Sequence, residues 1–168
     1  MILIGVGSNL PSDYGPPRET CAAALDALER EPVKIIARSR WYRSSPVPLS
    51  DQPWFVNGVI AVETELDPEA LLAALHRVEA DFGRASPQAR AAKPNAARPL
   101  DLDLLAYDEL VREGPEPPIL PHPRMAERAF VLLPLREIAP DWRHPGSGEP
   151  LSALIEALSG EGIVQPID

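Results

Sequence analysis

The sequence predicts an α+β fold, a ferredoxin-like βαββαβ sandwich: an antiparallel sheet with helices packed on one face and additional C-terminal helices. Three observations carry this. Short apolar or alternating runs are interleaved with segments of helical period in the order β-α-β-β-α-β. At 168 residues and 45% hydrophobic content, the chain has enough apolar side chains for a core and is expected to form one domain over residues 1–168. Its 21 prolines, more than twice the roughly 5% of ordinary usage, sit mostly between these segments and mark stiffened loops rather than disorder.

Met1–Gly7 (MILIGVG) is a wholly apolar run of strand length ending in glycine, suited to a central strand. Pro16–Arg30 reads as a helix, with Pro17 in the first turn, Cys21, Leu25 and Leu28 on one face, and Pro32 as its stop. Val33–Ser45 is rich in β-branched and aromatic residues, a second strand; the prolines of 46–53 force a loop. Trp54–Leu66 is expected to be its hairpin partner. Asp67-Pro68-Glu69 starts a second helix, with Leu71, Leu75, Val78 and Phe82 as its buried stripe and Gly83 as its stop. No periodicity survives from Arg84 to Pro99, a long loop of the kind that carries function. Leu100–Tyr107 (LDLDLLAY) alternates as a strand, and helices are expected around Phe130–Ile138 and over Leu151–Leu158.

Acids outnumber bases 25 to 16, a net charge of −9, which excludes a general nucleic-acid binder. Two basic islands interrupt this balance: Lys34, Arg38, Arg40 and Arg43, then Arg84, Arg90, Lys93 and Arg98, each without an acid between them. Such islands suit a small anionic ligand, although solvated surface charge is the plain alternative. Cys21 is the only cysteine, so an intrachain disulfide is impossible; its apolar surroundings make it a small buried hydrophobe. With no signal-peptide pattern and no apolar stretch of membrane-spanning length, a cytoplasmic location without membrane partners is expected.

Asp101 and Asp103 carry the most chemistry. Two residues apart on a strand they share a face, about 6.6 Å apart along the chain, while Leu102 and Leu104 point into the core. A rigid pair of carboxylates suits magnesium, which takes one or two protein carboxylates and fills its shell with water and phosphate oxygens; a solvent-facing strand with two acids is the alternative. The basic loop bracketed by Arg84 and Arg98 tips the balance, because guanidinium groups grip phosphate oxygens in pairs. Glu79 and His76 share a helix face beside the buried stripe, as a ligand pair or as solvated surface. His122, held between Pro121 and Pro123, is placed either to donate to a phosphate or to cap a turn. Trp54, Phe55 and Phe130 default to core.

Several local patterns then coincide: Gly7-Ser8-Asn9-Leu10; Arg40-Trp41-Tyr42-Arg43-Ser44-Ser45-Pro46 leading to Asp51-Gln52-Pro53-Trp54-Phe55-Val56-Asn57; Glu79-Ala80-Asp81-Phe82-Gly83-Arg84; Arg98-Pro99-Leu100-Asp101-Leu102-Asp103-Leu104; Leu120-Pro121-His122-Pro123-Arg124-Met125; and Arg128-Ala129-Phe130-Val131-Leu132. In this order, from about Ile2 to Pro140, they closely resemble the 6-hydroxymethyl-7,8-dihydropterin pyrophosphokinase (HPPK) family of folate biosynthesis. The resemblance implies a ferredoxin-like enzyme that uses ATP and two magnesium ions to place pyrophosphate on the pterin hydroxymethyl group, releasing AMP. It implies Asp101 and Asp103 as the magnesium pair, with Arg84 and Arg98 neutralising phosphate oxygens. Glu79, His76, Leu104, His122 and Arg128 would surround ATP. Ser44, Ser45, Val47, Phe55, Asn57 and Phe130 would hold the pterin. A monomer acting on these two small molecules is expected.

The chain departs from the family pattern in three places. The 84–98 loop is longer than in the best-known members and lacks the tryptophan that closes over the pterin, leaving Arg90 and Lys93 as basic contacts. Pro117-Pro118-Ile119 offers no donor before His122, and His76 stands where a glutamine often helps hold adenine. Two other classes compete with the kinase: a regulatory domain that binds ATP without consuming it, and a metal-dependent phosphohydrolase. AMP formation with and without the pterin separates the kinase from the regulatory domain, and phosphate released without a pterin acceptor would mark the hydrolase.

Overall fold

The central strand β1 (Ile2–Ser8) is apolar up to its final serine, as suits a strand paired on both edges and packed on both faces over its first half. On one edge it pairs antiparallel with β5 (Asp101–Tyr107), on the other with the ten-residue β4 (Phe55–Thr64). The far edge of β4 is paired in two pieces, β2 (Val33–Arg38) along its Ile60–Thr64 half and β3 (Tyr42–Ser44) along Phe55–Asn57. The resulting order, β5-β1-β4-β2/β3, is that of the ferredoxin-like sandwich, extended by a short strand β6 (Val164–Pro166) outside β3. This computed structural model describes residues 1–46, 48–83, 99–160 and 162–167.

The expected continuous strand over Val33–Ser45 is broken at Ser39-Arg40-Trp41, and the cause is local. Ser39 Oγ accepts the Val59 N–H at 3.0 Å, and the Trp41 ring lies so close to Gly58 that a Cβ there would come within 2.7 Å of it. Ser39 N–H still donates to Val59 O at 3.0 Å, but the Ser39 hydroxyl replaces the Ser39 carbonyl as the acceptor for Val59 N–H, the Trp41 ring fills the space over Gly58, and the edge strand divides.

Helices α1 (Pro17–Leu28) and α2 (Pro68–Asp81) pack on one face of the sheet. Each begins with proline in its first turn. Asp67 caps α2 by accepting the Ala70 N–H at 2.8 Å, and Gly83, at φ +84°, adopts the left-handed conformation that ends it. Cys21 is buried in this core and burial pushes its thiol up to about 12, so it is inert, as expected.

The two helices of the βαββαβ unit share one face as expected, and the additional C-terminal helices, whose face the sequence leaves open, lie on the other. The opposite face is covered by α3 (Ala129–Ile138) and the short α4 (Leu151–Glu156), preceded by a 3-10 turn at Met125–Glu127. Leu132 and Leu135 of α3 pack with Leu3, Leu105 and Ala106 of the sheet in a second core. Among the described residues no helix is long and apolar enough to cross a membrane.

Candidate active site

The two faces of each central strand differ in chemistry. On β1, Ile2, Ile4 and Val6 enter the α1/α2 core, whereas the opposite face runs Leu3, Gly5, Gly7. On β4, Val56, Ile60 and Val62 face α1/α2; the other side runs from Ala61 and Val59 to Asn57. On β5, Leu102 and Leu104 are buried in the first core and Asp101 and Asp103 alternate with them. A register shift opposite Leu3/Ile4 places consecutive Leu105 and Ala106 in the second core. The second face is thus apolar where α3 and α4 cover it, and becomes small and polar beyond them.

There a cavity of about 1230 Å³ opens. Its floor is a row of paired residues across three strands, Asp101, Gly7 and Asn57. Glycine is required at the centre: a Cβ on Gly7 would sit 2.9 Å from Asn57 Nδ2. The amide of Asn57 is fixed by Ser44, whose hydroxyl donates to Oδ1 at 2.5 Å, and both residues are buried. Phe55 from β4 and Phe130 from α3 also line the cavity; Phe130 in addition packs against the second core, whereas Phe55 departs from its default reading as core. Ser45 lines it too, but its Oγ is already engaged, accepting the Ile163 N–H at 2.8 Å.

Asp101 and Asp103 line the opposite side with His122 and Arg128. Arg128 NH1 is 3.9 Å from Asp103 Oδ2, and its guanidinium lies 5.4 Å from the Phe130 ring centroid. His122 is placed by its own backbone: its N–H donates to Leu105 O at 2.7 Å, and its Nδ1 accepts the Arg124 N–H at 3.2 Å. Nε2 therefore carries the proton. Burial, then the positive charges of Arg128 and Arg124 against a weaker opposing pull from Asp101, brings this imidazole down to about 4. It is neutral at pH 7 and a hydrogen-bond donor. Turn-capping and donation, the two roles left open by the sequence, are both available, one on each ring nitrogen.

Glu79 and His76 separate. His76 is exposed on α2, whereas Glu79 is 2% exposed. Glu79 Oε2 accepts the Leu102 N–H at 2.8 Å, so the helix carboxylate caps the outer edge of the strand between the two aspartates. Leu104 has its side chain in the core. By strand alternation its backbone polar groups face the same outer edge as Leu102. Arg84, Arg98 and Val47, with Arg90 and Lys93, lie outside the described residues.

The first basic island does not converge on the cavity. Lys34 and Arg38 are exposed on the edge strand β2, where charge discourages further strand pairing. Arg40 pairs with Glu137 at 2.9 Å, and Arg43 lies 4.5 Å from the Trp54 ring centroid. Local partners occupy these two. Positive charge reaches the cavity from Arg124 and Arg128 instead. Arg124 and Gly7 were legible as residues of motifs but not as cavity residues; Ile163 and Val164, also in its wall, carry no sequence signal.

Two half-exposed carboxylates on a rigid strand, with oxygen donors and an arginine beside them, suit a hard divalent cation that keeps water and phosphate oxygens in its shell. Among the described residues no group of three or more His, Cys, Asp or Glu side chains forms a closed metal cage, and a shared protein–phosphate site does not need one.

Residues 3–140 match the 7,8-dihydro-6-hydroxymethylpterin-pyrophosphokinase (HPPK) family. A 2-amino-4-hydroxy-6-hydroxymethyldihydropteridine pyrophosphokinase from Pseudomonas aeruginosa is 42% identical over 163 residues, covering 96% of this chain and 94% of the relative. The enzyme of the same name from Methylorubrum extorquens is 41% identical over 139 residues, covering 82% of each. The Folic acid synthesis protein fol1 of Schizosaccharomyces pombe is 34% identical over 153 residues, which are 90% of this chain and 20% of that protein. Among solved structures, wild-type HPPK-DHPS from Plasmodium falciparum superposes with a TM-score of 0.66 at 12% identity, over 92% of this chain and 44% of that one. That likeness is one of fold, and this chain spans under half of the solved chain's length.

Proposed function

This chain belongs to the HPPK family and transfers pyrophosphate from ATP to the hydroxymethyl group of 6-hydroxymethyl-7,8-dihydropterin, releasing AMP, in folate biosynthesis; from that premise we propose which of its residues do the work. The observation that carries the assignment is the shared cavity. Asp101, Asp103, His122 and Arg128 line one side, and Ser44, Phe55, Asn57 and Phe130 line the other.

The first group is the phosphate side. Asp101 and Asp103 would hold magnesium, expected as two ions, which would supply charge neutralisation and alignment of the phosphates. His122 donates its Nε2–H to a phosphate oxygen, and Arg128 adds a positive charge on the same side. Arg84 and Arg98, which follow α2 in the sequence, are proposed to add further guanidinium groups. Glu79 acts on the nucleotide through the strand it caps, and the outer edge of β5 at Leu104, with exposed His76, is the side assigned to adenine. The second group is the acceptor side. Asn57 offers its Nδ2 amide to the edge of the pterin ring, Phe55 and Phe130 supply aromatic faces, and Ser44, Ser45 and Val47 complete the residues assigned to the pterin.

In the reaction the acceptor hydroxymethyl oxygen attacks the β-phosphorus of ATP. The bond from that phosphorus to the AMP oxygen breaks, and the hydroxyl proton is lost. Catalysis is mainly alignment of the two substrates plus charge neutralisation. The chain is proposed to act as a monomer, since one copy supplies both sides of the cavity.

Asp103→Ala tests the assignment. AMP release in the presence of the pterin should fall about 10³-fold or more, with an unchanged circular dichroism spectrum. Undiminished turnover would refute the role of the acidic pair. Phosphate release independent of the pterin would favour the hydrolase reading instead.

A further inference from the structure

Beyond α4, Ser159, Gly160, Gly162 and Ile163 line the cavity, and the chain ends as strand β6 on the sheet edge. Its ladder with β3 pairs Tyr42 with Pro166, Arg43 with Gln165 and Ser44 with Val164. The Ile167 N–H donates to Trp41 O at 3.1 Å. Were this only protection of a sheet edge, the contacts would stop with β3. They continue to Ser45: its N–H donates to Ile163 O at 3.0 Å, and its Oγ accepts the Ile163 N–H at 2.8 Å. Both hydrogen bonds lie at the point where the chain leaves the sheet for the 46–54 loop. Gly162, Ile163 and Val164 form part of the cavity wall beside Ser45 and Phe55.

Ser44 is therefore held on three sides. Its side chain orients Asn57, its backbone pairs with Val164 across β6, and the next residue is clamped by Ile163. The Ile163 side chain is 45% exposed, so its backbone rather than its packing does this.

We propose that the Ile163 backbone, acting through Ser45, positions the acceptor side of the cavity and so sets affinity for the pterin rather than for ATP. Ile163 is a positioning residue in this scheme. The clamp keeps the Ser44–Ser45 corner in the geometry that fixes Asn57, and its loss would let the corner, and with it the amide, move. The proposal rests on the acceptor-side assignment above and extends it to a strand that the sequence motifs do not reach.

Ile163→Pro deletes the donor while keeping the carbonyl that Ser45 N–H uses. Relative to Ile163→Ala, which keeps the N–H, it should raise the KM for the pterin about tenfold, with kcat and the KM for ATP within about twofold. Ser45→Ala removes the same hydrogen bond from the other side and does not depend on proline being accommodated. It should reproduce the rise, and Ser45→Ala combined with Ile163→Pro should be no worse than either alone, because both remove one interaction. Three results would overturn the proposal: equal pterin KM in the Pro and Ala variants, parallel rises in both substrates' KM, or additive effects in the double variant. Asn57→Ala separates the layers. If it leaves the pterin KM unchanged, the acceptor-side assignment fails and this proposal with it. If it raises that KM while Ile163→Pro does not, only the role of the returning strand falls.

Discussion

The two faces of this sheet are built from the same strands, yet one is uniform and the other graded. Toward α1 and α2, β1, β4 and β5 present Ile2, Ile4, Val6, Ile60, Val62, Leu102 and Leu104, all of them 6% exposed or less. On the opposite face Leu3, Ala61 and Leu105 are closed in by α3 and α4, and within two or four residues along the strands the positions become Gly7, Asn57, Asp103 and Asp101. A strand alternates its side chains with period two, so one segment can hold the fold with every second residue and offer chemistry with the others. Stability and function are separated here by the parity of sequence position, not by distance along the chain.

That separation predicts opposite phenotypes from neighbouring substitutions. The loss of turnover expected for Asp103→Ala is the largest effect and should leave the melting temperature nearly unchanged. Ile4→Ala, on the uniform face of β1, is its converse. Removing a fully buried isoleucine side chain should cost about 2–5 kcal/mol of stability, read from urea unfolding, while kcat measured well below the melting transition stays within about twofold. Gly7→Ala lies three residues on, on the graded face. Its methyl would meet the Asn57 amide, so the pterin KM should rise about tenfold while the urea midpoint changes little. An Ile4→Ala variant that folds well but turns over slowly, or a Gly7→Ala variant that simply unfolds, would break the division between the faces.

Much of this division is legible in the sequence, because it rests on alternation. LDLDLL announces two carboxylates on one face and leucines on the other, and the floor of the cavity has that arrangement. Gly7 is visible as the end of an apolar run, but its purpose is not: that depends on Asn57 lying across it from a strand some 50 residues away. Charge was a poor guide. The island from Lys34 to Arg43 counts as four cations in the sequence, yet Arg40 is drawn to Glu137 and Arg43 to Trp54, partners that only tertiary packing supplies. The helix pattern correctly gave α3 and α4 but not the face they cover, since amphipathicity says that a side is buried and not against what. The returning strand β6 is three residues containing a proline, below any propensity signal, and exists because β3 offers it an edge. Glu79 shows the same limit from the other direction. A carboxylate on a helix reads as solvated until the strand N–H it caps is seen.

The smallest expected effect concerns His122, which sits where the two regimes meet: its backbone donates to Leu105 in the second core and its ring faces the cavity. In the unfolded chain this imidazole takes a proton near its ordinary value of 6.5, whereas in the folded protein it resists until about 4. Below pH 6.5 the unfolded state thus binds the proton that the folded state refuses, and protonation favours unfolding. Stability contributed by the neutral ring is complete above pH 6.5 and is lost as the pH falls toward 4. In protein free of nucleotide and metal, the urea midpoint of the wild type should therefore drop more between pH 7 and pH 5 than that of His122→Gln. The histidine Cε1–H resonance of residue 122 should show no titration between pH 8 and pH 5.5. A residue at 122 that titrates near 6.5 would mean that the cavity is open to water there, and would place His122 with the solvated surface rather than at the junction of core and site.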